Sequence, residues 1–248
     1  MYKGFYTLAS GMLTENRNLN VVSNNMTNVS TPGYKSSTMV SSTFQEEMMY
    51  RYGNKNRANP TQLGESSMIV TAQETITDYT QAGFELTGDK YDFGLSKPGF
   101  FQIQGENGTV YTRNGSFILD DEGYLSLPRV GRVLGQKGPI RLEKDNFQVD
   151  SSGNIMDENS VVIDQLAIVD FADYTQLTRA GEGLFQTNGG GTPVANAVVW
   201  KALEHSNVDT IREMTNMMSS QRALQSAAQI LKMYDQIMQK STTEIGRV

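Results

Sequence analysis

Two heptad-spaced apolar stripes, one at each end of the chain with most of the sequence between them, constrain this protein more than any other feature. Phe5, Met12, Leu19 and Met26 recur every seven residues, and a second row of Leu8, Val22 and Val29 keeps the same step, interrupted by Glu15. Thr210, Met217, Leu224, Leu231 and Met238 repeat the pattern near the other end, accompanied by Met214 and Ala228. Such a repeat marks a helix that buries a narrow stripe against a second helix. Neither helix has a core of its own. Each therefore needs a partner, in its own chain or in a neighbouring copy, and assembly is the function this pattern favours.

The balance of charge narrows the partners. Among 248 residues, 27 are acidic and 21 basic, and a net charge of −6 argues against binding nucleic acid or an anionic membrane surface. Arg51, Lys55 and Arg57 form the one basic cluster, diluted by Glu46 and Glu47, and read as a solvated loop. No apolar run approaches the ~20 residues of a membrane helix, so no membrane insertion is expected. The first residues lack the continuous apolar core of a Sec signal peptide. The absence of cysteine excludes disulfides, thiolate catalysis, iron–sulfur clusters and cysteine-ligated zinc, and suits a chain that crosses an envelope unfolded.

The first stripe predicts a helix from Lys3 to Val29, halted at Ser30-Thr31-Pro32-Gly33, because Pro32 disfavours helix before it and Gly33 accepts a positive φ. Residues 36–83 are rich in Ser, Thr, Gln and Asn without sustained period and read as an extended connector, with one strand near Met68 to Ala72. From 84 to 199 short apolar runs alternate with turn residues. Hairpins are expected at Glu106-Asn107-Gly108, Asp120-Asp121-Glu122-Gly123 and Ser151-Ser152-Gly153, followed by a longer strand from Val161 to Phe171. A loop at Gly189 to Pro193 ends this β texture. The C-terminal helix then opens at Ser206 or Asn207 as its cap, and its apolar face widens after residue 227 to Ile230, Leu231, Tyr234, Ile237 and Met238. The expected class is α+β: two terminal helices packed as a coiled coil, residues 1–35 with 200–248, around an antiparallel β domain at 84–199.

Catalytic chemistry finds no support. His205 is flanked by Ser206 and Asp209, but neighbours in sequence at a helix start read as a capping arrangement, not a triad. Asp120, Asp121 and Glu122 lack the alternating ligands of a calcium loop. No phosphate-binding or nucleophile-elbow motif occurs, and the methionines of the C-terminal helix read as adaptable core filler. No catalytic residue, cofactor or metal is expected.

Several tracts carry a resemblance. Ser10-Gly11-Met12, Val22-Ser23-Asn24-Asn25-Met26-Thr27-Asn28 and Thr31-Pro32-Gly33-Tyr34-Lys35 resemble the N-terminal signature of the flagellar rod and hook proteins, the axial family of the bacterial flagellum. Glu204-His205-Ser206-Asn207-Val208-Asp209, Glu213-Met214 and Gln221-Arg222-Ala223 resemble its C-terminal signature. Between them, Gln81-Ala82-Gly83, Gly99-Phe100-Phe101 and Tyr111-Thr112-Arg113-Asn114-Gly115-Ser116-Phe117 look like its shared β domain. Thr27 stands where alanine is usual, and Leu224-Gln225 replace a common Tyr-Glu.

The resemblance implies a structural subunit, exported through the flagellar type III apparatus without a Sec signal and polymerised helically into a hollow shaft at the basal body. Its partners would be other copies, the other rod proteins, the hook protein and surrounding rings. The length leaves no room for the outer domain of a hook subunit, which favours a rod member, distal before proximal. Asn24, Asn25 and Asn28 are expected to share a helical face and fix register through amide hydrogen bonds. An alternative is a monomeric glycan-binding β module that stacks sugars on Tyr91, Phe93, Phe100, Phe101 and Tyr111.

Overall fold

A computed structural model describes residues 2–51, 61–105, 108–142, 146–181, 183–187, 189–195 and 197–245, and shows an α+β chain with a helix at each end and a β-rich body between. Its internal packing divides it into two units. Met1–Thr27, Ser37–Asp78 and Asp209–Val248 make the first, and Asn28–Ser36 with Tyr79–Val208 the second. Lys55, Arg57 and the turn at Glu106-Asn107 lie outside the described residues.

The first unit contains α1 (Tyr2–Thr27), the strands β1 (Ser37–Arg51) and β2 (Thr61–Thr77), and α2 (Thr210–Ile245). Where sequence reading expects an extended connector with one short strand, the structure has a long antiparallel hairpin. The pairing runs from Ser37 opposite Thr77 to Arg51 opposite Thr61. A bulge between Val40 and Ser41 shifts its phase, so Val40 and Ser41 are both exposed while Met39 and Ser42 on either side are half-buried. That break erases the alternation by which a strand is recognised.

Along α2 the residues withdrawn from solvent are Thr210, Glu213, Met217, Ser220, Leu224, Ala227, Leu231, Tyr234, Met238 and Ser241, alternately three and four apart, and every residue between them is exposed. The burial therefore follows a strict heptad, and the expected row from Thr210 to Met238 is one of its two lines. α1 runs antiparallel to it. Asn18 Nδ2 donates to Ser220 Oγ at 3.1 Å, Asn25 hydrogen-bonds Glu213, and a Cβ added at Gly4 would lie 3.1 Å from Tyr234 Oη. Fourteen residues from Gly4 to Asn18 are matched by fourteen back from Tyr234 to Ser220, and seven from Asn18 to Asn25 by seven from Ser220 to Glu213.

The helix ends differ from expectation by a few residues. α1 stops at Thr27, with Asn28 and Val29 in a turn. α2 is capped by Asp209, whose Oδ1 accepts from the backbone N–H groups of Ile211 and Arg212 at 3.0 and 3.2 Å. Ser206 and Asn207 do not cap it because both are engaged in the second unit: Ser206 Oγ accepts from Val208 N, and Asn207 Oδ1 from Ser36 N.

The second unit begins with β3 (Phe84–Leu86), β4 (Phe93–Leu95), β5 (Phe100–Gly105), β6 (Gly108–Thr112), β7 (Ile118–Leu119), β8 (Leu125–Leu127) and β9 (Gly131–Val133). It continues through β10 (Phe147–Val149), β11 (Asn154–Asp157), β12 (Val162–Gln165), β13 (Ile168–Asp170), the short 3-10 turn Tyr174–Gln176, β14 (Thr178–Gly181) and β15 (Leu184–Gln186). β16 (Thr192–Pro193), β17 (Val198–Trp200) and β18 (Ala202–Glu204) complete it. The main sheet has the order β14-β15-β6-β5-β9-β8-β7, with β13 pairing β5 and β16; β10, β11 and β12 form a separate meander.

Two sequence expectations change in this unit. The run from Val161 to Phe171 is divided between β12 and β13, which serve different sheets, and Val161 and Val162 are exposed. The β texture also persists beyond Pro193, since β17 pairs β4 and β18 pairs β3.

Alternation along β5 supplies two cores. Phe101 and Ile103 enter one, with Phe93, Phe117, Leu125 and Phe147, while Phe100 enters the other, with Val169, Phe171 and Phe185. Phe93, Phe100 and Phe101 are thus interior, and the sugar-stacking surface of the glycan reading does not exist. Three hairpin turns share one design. The backbone N–H of Asp120, Asp150 and Asp157 each donates to the carbonyl of the residue four later, each Asp carbonyl accepts from the residue three later, and those residues, Gly123, Gly153 and Ser160, fill the left-handed position with φ of 83°, 82° and 58°.

Candidate functional site

The recognised tracts of the second unit, distant in sequence, converge on one buried carboxylate. β17 follows β4 as far as Trp200; Lys201, with φ of 60°, then turns the chain so that β18 pairs with β3. Alternation along β18 buries Ala202 and Glu204. Glu204 Oε1 accepts from Lys35 Nζ at 2.7 Å and from Ala82 N at 3.1 Å, and Oε2 accepts from Arg113 Nη1 at 2.9 Å. The three ionic side chains are almost wholly enclosed, at 0%, 4% and 0% exposure for Lys35, Arg113 and Glu204.

Backbone carbonyls extend the shell, although Arg113 Nε, also buried, has no hydrogen-bond partner among the described residues. Lys35 Nζ also donates to Thr80 O at 2.8 Å, and Arg113 Nη2 to Lys97 O at 3.1 Å. Arg179 spans the outside, donating to Lys35 O at 2.6 Å and to Tyr34 Oη at 3.2 Å, with its guanidinium 4.8 Å from the Tyr34 ring centre. Gly33 brings its tract in close. Its N–H donates to Glu204 O at 2.7 Å, its φ is +67°, and a Cβ there would stand 2.2 Å from Arg113 O. Both conformation and space demand glycine.

This arrangement holds segments together and has no means of chemistry. Every charge faces a fixed partner, and buried charges survive only when so paired. The imidazole of His205 is exposed 3.7 Å from the Glu85 carboxylate, its backbone N–H donates to Gly83 O, and its neighbours Ser206 and Asp209 are occupied as turn and cap. Asp120 accepts from Glu122 N, Tyr124 N and Arg132 Nε, so its oxygens close a turn. The bond from Tyr124 N leads the causes that hold its carboxyl below the ordinary range. No grouping of three potential metal ligands occurs among the described residues, and no helix of the described residues is long and apolar enough to cross a membrane.

The expected assembly residues fall into three groups. Leu8, Met12, Leu19, Val22, Asn25 and Met26 of α1 and Met217, Leu224, Leu231, Tyr234 and Met238 of α2 are buried or half-buried. Phe5, Asn24, Met214, Gln221, Arg222 and Ala228 lie on exposed faces. Asn28, Val29, Pro32, Gly33 and Asn207 belong to the second unit. Of the three asparagines, Asn25 is buried in the first unit, Asn28 receives Thr31 Oγ1 at 3.1 Å in the second, and Asn24 is exposed. Sequence reasoning missed Lys35, Arg113 and Glu204 as a cluster, although all three stood in the quoted tracts.

Comparison with known proteins gives the same tracts a family. Three family models match in order: Flagella basal body rod protein over residues 5–35, Flagellar hook protein FlgE/F/G D1 domain over 96–156, and Flagellar basal body rod FlgEFG protein C-terminal over 201–244. The flagellar basal-body rod protein FlgG of Bacillus subtilis is 31% identical over 261 residues, covering 97% of this chain and 98% of the relative. FlgG of Buchnera aphidicola subsp. Schizaphis graminum is 28% identical over 97% and 98% of the two chains, and FlgF of Caulobacter vibrioides 27% identical over the whole of both. These relatives are structural rod proteins, and the chain belongs to the flagellar basal-body rod protein family as a structural subunit and not an enzyme.

Proposed function

We propose that this chain is a distal rod subunit that polymerises helically into the hollow drive shaft between motor and hook, with α1 and α2 forming its coiled-coil assembly region. The observation that carries the reading is the outer surface of α2. Ile211 is 79% exposed and Ile237 62%, and Met214, Met218, Ile230 and Met233 are about half exposed. At 100° per residue, Ile211, Met214 and Met218 lie on the flank beside the Met217–Leu224 line, whereas Ile230, Met233 and Ile237 lie on the opposite flank, beside the Ala227–Tyr234 line. A helix that changes its apolar flank along its length suits two neighbours at different heights, as successive subunits of a helical polymer provide. Tyr6 and Leu13, about 60% exposed on α1, add to that surface.

The partners in this reading are other copies, further rod proteins, the hook protein and surrounding rings, after export through the flagellar apparatus. The long β1–β2 hairpin would be the segment that stiffens a distal rod. A proximal position in the rod is the alternative, and locating tagged protein in isolated basal bodies separates the two.

The assembly reading is tested by Ile230→Glu with Ile237→Glu in cells lacking the native copy. The β-rich unit keeps its near-UV spectrum, because neither residue belongs to it, while basal bodies stop short of a complete rod and swimming is lost. Normal rods and normal swimming in that variant would refute the reading.

A further inference from the structure

The helix seam of the first unit contains an ionisable group that apolar packing does not explain. Glu213 occupies a seam position in the first turn of α2, where Asn25 of α1 hydrogen-bonds it. Asn25 is buried, and its amide also holds Ser37: Nδ2 donates to Ser37 O at 2.7 Å, and Oδ1 accepts from Ser37 N at 3.0 Å. Glu213 Oε2 is buried and has no hydrogen-bond partner among the described residues. An ionised oxygen enclosed without a donor opposes burial far more strongly than a neutral acid does.

We propose that Glu213 is a proton-operated latch on the α1–α2 pair of the single chain, tightening the closed pair when protonated and loosening it when ionised. The charged groups that act on it are Arg212 and Asp209, both on its own helix and opposed in sign, while α1 and the start of β1 present the uncharged Asn25 and Ser37. Burial is the leading cause that raises its carboxyl above the ordinary 4.5, with Asp209 adding to it; the Asn25 hydrogen bond and Arg212 pull the other way. The closed pair thus holds the proton more tightly than the opened chain. Closure gains strength as pH falls from the raised value toward 4.5 and has its full gain below that. Each unit of raise multiplies the closing equilibrium by about tenfold. The latch is a property of the separate chain and goes beyond the assembly reading.

The test is residue-level hydrogen exchange on dilute full-length protein from about pH 8 to about pH 5, corrected for intrinsic rates, with the β-rich unit as internal reference. Protection in residues 4–27 and 210–241 should rise on acidification while the reference does not. Glu213→Gln, which resembles the protonated acid, should hold the higher protection at every pH. Asp209→Asn retains a capping side chain but removes the repelling charge, and should move the rise to lower pH. Helix protection that ignores pH in the native chain, or that falls with rising pH as steeply in Glu213→Gln, overturns the proposal. Dilution keeps polymerisation out of the measurement, so neither outcome bears on the assembly reading.

Discussion

At Glu204 two cations share one carboxylate, and this asymmetry makes the three side chains unequal. Glu204→Gln takes the shared carboxylate from both Lys35 and Arg113 and is expected to cost about 3–5 kcal/mol of unfolding free energy. Lys35→Met leaves a neutral pair of Arg113 and Glu204 and forfeits charge-assisted hydrogen bonds, a loss of about 1.5–3 kcal/mol. Urea unfolding followed by near-UV dichroism checks the order, and equal costs would contradict a charge-balance account. Ser160 offers the opposite case. It holds φ of 58° where Gly123 and Gly153 fill the equivalent turns, so Ser160→Gly should stabilise by about 1 kcal/mol, read as a rise in melting temperature. The same substitution pattern explains what could be read in advance. The turns at Gly123 and Gly153 announce themselves by glycine, whereas the one at Ser160 carries no such signal.

For whole elements, legibility depended on how many neighbours each one has. α2 has a single seam in this chain, so its burial repeats in an undisturbed heptad and the row from Thr210 to Met238 lies on it as the sequence implies. α1 meets both α2 and the β1–β2 hairpin, which widens its buried arc and leaves Phe5 exposed. The hairpin was hidden because its bulge changes the alternation midway, and its polar Ser and Thr residues imitate a loop. Gly11 illustrates the same geometry. It falls in the row of Gly4, Asn18 and Asn25, yet an added Cβ would meet nothing within 4 Å in the chain. Gly11→Ala should therefore stabilise α1 by about 0.5–1 kcal/mol, visible as greater helical dichroism on heating. Destabilisation would show that the helices approach more closely than this geometry.

In the whole molecule, the sequence anticipated an inserted β-rich body but misplaced its edges. The tract from Asn28 to Ser36 belongs with the β body through Gly33 and Lys35, whereas the sequence groups residues 1–35 with the terminal helices. Residues 37–78 belong with the helices, although their composition reads as a connector. Both errors have one cause: local composition reports the conformation of a segment, while membership of a unit is decided by side chains far away in sequence, such as Glu204 for Lys35 and Asn25 for Ser37. The resulting path leaves one unit for the other after Thr27, Ser36, Asp78 and Val208. A protease that nicks the chain at any one of these four places leaves the two units covalently linked through the other three.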